Sequence, residues 1–179
     1  MKIAVVGVGN ILFKDEGIGI YAAKYLEENY DFSGDVTVVD GGTLGFKLMT
    51  YYSDYDKVII LDTVSIKDTP GSVYNLPAEE LMGLGSYRQT AHEVEVVEML
   101  EICSVLDKMA EVHLLGMIPE DIQSVDISLT KSLSDQFDFF IQQIVKEIER
   151  GGVTATRKSD PVPLETVIDT YANPTAVRS

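Results

Sequence analysis

Four residues that are distant in the chain, Glu16, Asp40, Asp62 and His92, carry side chains able to do chemistry if one surface gathers them. Carboxylates with an imidazole suit a divalent transition metal. Imidazole fits nickel and zinc, carboxylate oxygen is tolerated, and three protein ligands leave positions open for substrate or water. Each residue also has a plainer reading. Asp40 can close the turn at Gly41-Gly42, Glu16 can favour a helix N-terminus electrostatically, and His92 can face solvent in a first helical turn. Asp62 is harder to dismiss, because an acid that ends a buried strand needs partners.

The elements around these residues bring them to one rim. Lys2–Val8 is a continuous β-branched run, as expected for a strand buried on both faces. After a loop over Gly9–Lys14, Asp15 caps a helix from Glu16 to about Glu28, with Ile18, Tyr21, Ala22 and Tyr25 on its apolar face. Asp35–Asp40 and Asp56–Thr63 read as further strands, Thr43–Tyr52 as a short helix between them, and Ser72–Leu76 as a short edge strand. Pro77–Leu81 reads as one helical turn. A helix over Ala91–Met109, a strand over Glu111–Met117 and a long amphipathic helix over Leu129–Arg150 complete the pattern.

Strands that alternate with helices give a three-layer α/β/α sandwich around a mostly parallel five-stranded twisted sheet, with one short antiparallel edge strand. Ligands of such sheets bind beyond the carboxyl ends of the parallel strands. Asp40 and Asp62 end strands there. The helices that begin at Glu16 and Ala91 return antiparallel to their following strands, so their N-termini lie at the same rim. The positive end of a helix dipole disfavours imidazolium, which keeps His92 in the ligating form.

After Gly151-Gly152 the texture changes to isolated apolar residues among prolines, Ser and Thr, with a weak helical stretch at Leu164–Tyr171. Residues 1–150 are thus expected to form the α/β domain, and residues 151–179 a mobile extension that the fold can lose.

Other chemistries have less behind them. His113 falls within a strand, and Cys103 follows Val96, Met99 and Leu100 at helical spacing, so both read as packed residues. The HExxH and GxSxG motifs are absent. Gly7 and Gly9 give two glycines of a dinucleotide fingerprint, but Leu12 takes the third position, and Asp40 lies beyond the expected spacing. The formal charge of −15 argues against phosphate-directed nucleic-acid binding and suits a cationic or basic ligand. No apolar run is long enough to span a membrane, and a single cysteine makes a reducing cytoplasm the default compartment.

Taken in order, five blocks resemble the hydrogenase maturation endopeptidase family. Val6-Gly7-Val8-Gly9-Asn10-Ile11-Leu12 with Asp15-Glu16-Gly17-Ile18-Gly19 is similar to its G-x-G-N-x-L-x-x-D-[DE]-G-x-G opening. Asp40-Gly41-Gly42-Thr43-Leu44-Gly45 and Val58-Ile59-Ile60-Leu61-Asp62-Thr63-Val64 resemble its second and third blocks. Thr90-Ala91-His92-Glu93 fits the region of its single key histidine, and Leu115-Gly116-Met117-Ile118-Pro119 its last strand and following loop. The resemblance covers residues 1 to about 150, and the segment from Val153 has no recognised counterpart.

The resemblance implies an α/β/α fold and removal of a C-terminal extension from the large-subunit precursor of a nickel–iron hydrogenase. It implies that Glu16, Asp62 and His92 contact nickel that arrives already bound to that precursor. Asp40 is an additional acid near the site, able to orient a water. Two alternatives remain: a non-catalytic chaperone that senses nickel in the immature subunit, and a dinucleotide-dependent oxidoreductase.

Overall fold

The computed structural model describes residues 1–42, 48–83, 98, 101 and 110–174. Its central sheet has five strands: β1 (Ile3–Val8), β3 (Val36–Gly42), β4 (Lys57–Thr63), β5 (Val73–Pro77) and β6 (Glu111–Met117), in the order β3-β1-β4-β6-β5. All neighbouring pairs are parallel except β5 with β6, which closes the edge as an antiparallel pair. This is the expected α/β architecture.

Strand alternation divides the core between the two faces. Ile3 and Val5 of β1 and Ile59 and Leu61 of β4 point to one face, where α1 (Ile18–Asn29) and α4 (Lys131–Glu149) cover them with Ile18, Ala22, Leu26, Phe137, Phe140 and Ile144. Ala4, Val6, Val58 and Ile60 point to the other face, against Tyr52 of α2 (Leu48–Asp54) and Ala78 and Leu81 of α3 (Ala78–Gly83). Both faces of β1 and β4 are therefore dry, which is why these strands read as unbroken apolar runs.

Two expectations need correction. Asp15 does not cap a helix that starts at Glu16. Lys14–Gly17 form a 3₁₀ turn, and α1 begins at Ile18 with no side-chain cap. Asp15 is buried, and its carboxylate accepts hydrogen bonds from the Glu120, Asp121 and Thr130 amides and from the Thr130 hydroxyl, at 2.8–3.0 Å. It fastens the loop after β6 to the turn that carries Glu16.

The segment after Gly152 is folded against the domain, contrary to the reading of a mobile extension. β7 (Ala155–Arg157) pairs antiparallel with β2 (Tyr30–Phe32), and α5 (Leu164–Ala172) buries Val167 in the same core as α1. Buried Asn29 clamps the connection, donating to the Val162 carbonyl at 3.0 Å and accepting from its amide at 2.6 Å. Composition pointed elsewhere because these anchors are few and their partners lie on α1 and β2, more than a hundred residues earlier. The helix expected over 91–109 lies outside the described residues apart from 98 and 101, so His92 and Cys103 are not placed.

Candidate active site

Close backbone approach builds the rim at the carboxyl edge of the sheet. Gly19, in the first turn of α1, packs so tightly on the strand ends that a Cβ there would overlap the Leu61 carbonyl oxygen and crowd that of Val8. Gly7 is equally close to the Gly19 carbonyl. Gly9 has φ +147°, a backbone conformation that favours glycine, and a Cβ there would overlap the Glu16 carbonyl oxygen. The Asn10 amide donates to that same carbonyl at 3.1 Å, and the Asn10 side chain accepts from the Leu12 amide at 3.0 Å. The glycine spacing of the opening motif thus brings the turn bearing Glu16 onto the ends of β1 and β4.

Asp62 is 1% exposed, and its Oδ1 accepts from the Thr63 amide at 2.7 Å. The same Oδ1 lies 3.8 Å from where a Gly9 Cβ would be. Glu16 is half-buried, and its backbone carbonyl faces the same Gly9 position. The backbone of the Glu16 turn and the Asp62 carboxylate thus both approach Gly9. Asp40 stands opposite Gly7 in the β1–β3 register, whereas Leu61 stands opposite Gly7 in the β1–β4 register. Asp40 and Asp62 therefore flank β1 one step apart, across two strand spacings or roughly 10 Å.

Alternation adds a detail that the sequence did not reveal. Val36 and Val38 pack on the face covered by α1, which places Asp40 on that face too, whereas Asp62 shares its parity with Val58 and Ile60 on the opposite face. Asp40 lines a cleft of about 490 Å³ with Gly9, Asn10, Ile11, Leu12, Ile20 and Tyr171. The Tyr171 hydroxyl donates to Asp40 Oδ2 at 3.1 Å. Burial, followed by the Asp40 charge, raises the Tyr171 phenol above its ordinary value, so it remains a donor. Tyr171 is the functional candidate that sequence reasoning missed, and its only local signal was the weak helical pattern at 164–171.

At the opposite edge, Glu111, His113 and Glu147 bring three potential ligand atoms within 4.8 Å of one another, the one such group among the described residues. Their charges already have partners. Lys57 Nζ lies 2.5 Å from Glu147 and 3.2 Å from Glu111, Arg150 bonds Glu147 at 2.8 Å, and His113 Nδ1 meets the Asn75 amide oxygen at 2.9 Å. A cation at this point would have to displace the ammonium of Lys57. His113 is thus a satisfied residue, as its position within a strand suggested.

Comparisons with known proteins identify the family and the fold. The sequence profile of the hydrogenase maturation protease family matches residues 20–147. The hydrogenase 2 maturation protease of Escherichia coli K12 is 31% identical over 171 residues, covering 94% of this chain and all of that protein. The alignment therefore reaches into the segment after Gly152. A hydrogenase expression/formation protein HupD of Bradyrhizobium diazoefficiens is 29% identical over 90% of this chain and 85% of its own. Among solved structures, the E. coli hydrogenase maturating endopeptidase HybD superposes with a TM-score of 0.83 at 32% identity, covering 89% of this chain and 99% of its own. With the profile covering most of the sequence and the glycine-built rim in place, the chain belongs to the hydrogenase maturation protease family.

Proposed function

We propose that this protease removes the C-terminal extension of a nickel–iron hydrogenase large-subunit precursor and recognises that precursor by the nickel it already carries. The observation that carries the reading is the convergence of the Glu16 turn and the buried Asp62 carboxylate on Gly9, at the carboxyl edge of a family-typical sheet. His92 supplies the third ligand in this reading. The nickel is cargo of the substrate, held by Glu16, Asp62 and His92 on one side and by the precursor on the other. Held there, it orients and polarises the scissile carbonyl. Asp40, on the other face of the rim and roughly 10 Å from Asp62, meets the substrate beside the metal rather than at it. The single cysteine of the chain suits a reducing cytoplasm, where we place the reaction.

Nickel-loaded and nickel-free precursor, each incubated with the purified protein and followed by product mass, test the proposal. Cleavage of the loaded form alone is expected. His92→Ala, Asp62→Asn and Glu16→Gln should each reduce processing at least about 100-fold while keeping the fold, because a three-ligand site loses most of its hold with one donor gone. Equal cleavage of nickel-free precursor, or full activity of folded His92→Ala, overturns recognition through nickel. Binding of the precursor without any cleavage leaves the chaperone reading instead.

A further inference from the structure

We propose that α5 is part of the active cleft and that Tyr171 is a positioning residue, holding Asp40 where it receives the precursor segment flanking the scissile bond. The inference rests on the proposed function and goes beyond it, because it gives a role to the segment after Gly152. Three observations carry it. Asp40 and Tyr171 line the same cleft as Gly9, and Asp62 Oδ1 lies 3.8 Å from where a Gly9 Cβ would be, so the cleft borders the loop against which Asp62 packs. The hydroxyl of Tyr171 donates to Asp40 Oδ2 at 3.1 Å. The ring is seated by packing: it meets Tyr21 edge-on at 5.8 Å, and Tyr21 is itself wedged against Gly17, beside Glu16.

Tyr21 and Tyr171 therefore form a short bridge from the Glu16 turn to Asp40. Val167, buried one helical turn before Tyr171, and the Asn29 clamp on Val162 fix the distance that α5 must span. The cleft's occupant follows from its lining. Ile11, Leu12 and Ile20 offer apolar surface, and Leu12 is half-exposed at its mouth. The anchored carboxylate of Asp40 accepts hydrogen bonds from a peptide amide or a basic side chain. An extended peptide with an apolar residue beside the cleaved bond fits both features, which commits the cleft to the precursor tail.

The test is steady-state processing of nickel-loaded precursor by the full-length protein, with melting temperature recorded for each variant. Tyr171→Phe keeps the ring and removes the donor. It should raise KM about tenfold, the scale of one hydrogen bond to a charged group, with kcat within about twofold and the melting temperature unchanged. In an Asp40→Asn background, Tyr171→Phe should weaken precursor binding no further, because its effect passes through Asp40. Unchanged KM in Tyr171→Phe overturns the proposal. So do losses that add in the double variant, and so does a loss of activity matched by a loss of folding. Failure of the wild-type protein to cleave would instead count against the proposed function, so the two failures are distinguishable.

Discussion

At the scale of single residues, buried charge is handled in three ways. Asp15 is satisfied wholly by amides and a hydroxyl, and so serves as a structural fastener. Asp62 is buried at the rim, where the proposed function places a metal ligand. Glu147 is buried at the far edge with Lys57. Burial pushes the Glu147 carboxyl up, but hydrogen bonds from Lys57 and Asn75 and the charges of His113 and Lys57 outweigh it and hold the group at about 2. A folded-state value below the ordinary 4.5 means that the ionised form supports the fold. That support is complete above about 4.5 and fades as pH falls through about 2. Denaturant midpoints followed downward from neutral pH should show this acid loss. Lys57→Met should cost about 3 kcal/mol at neutral pH, because it strands a buried carboxylate, and should flatten the acid slope. Parallel slopes for the two proteins would show that Lys57 is not what holds Glu147 ionised.

At the scale of elements, the site depends on how closely α1 approaches the ends of β1 and β4. Helix packing usually leaves room for side chains, but here backbone touches backbone at Gly7, Gly9 and Gly19. Gly19→Ala should therefore act as an overpacking change and cost about 2 kcal/mol or more, since the obstructing atoms are carbonyl oxygens that cannot rotate away. It should also lower processing more than stability alone explains, because moving α1 moves the turn that carries Glu16. Thermal melting paired with the cleavage assay, at a temperature where the variant is fully folded, measures both effects. Full activity in the folded variant would show that the rim tolerates a wider helix-to-sheet gap.

At the scale of the whole molecule, the last segment closes the structure. Removing everything after Arg150 exposes the cavity left by Val167 and leaves the buried Asn29 amide facing no partner on the Val162 side. One fully buried aliphatic side chain and one orphaned amide together amount to about 3 kcal/mol. The truncated chain should therefore melt well below the full-length protein and lose the Tyr171 wall of the cleft. A truncated chain that melts with the parent and processes precursor normally would mean that the segment is packed without contributing. Among the described residues, no helix is long and apolar enough to cross a membrane.

By itself the sequence determined the five strands of the central sheet, the two long helices at Ile18–Asn29 and Lys131–Glu149 to within a few residues, the edge role of Val73–Pro77 and the placing of Asp40 and Asp62 at one edge. Periodicity and strand ends are local, and crossover geometry leaves few ways to join them. The glycine spacing of the opening block was also legible, and the structure supplies its cause in the contacts of Gly7, Gly9 and Gly19. Only the tertiary structure decided the rest. Asp15 looked like a helix cap because its partners, Glu120 to Thr130, are distant in the chain. The parity that sends Asp40 and Asp62 to opposite faces follows from strand register, and a shift of one residue would have reversed either. The pairing of β2 with β7, and with it the seat of Tyr171, rests on a few anchors whose value appears only once α1 is in place to receive them.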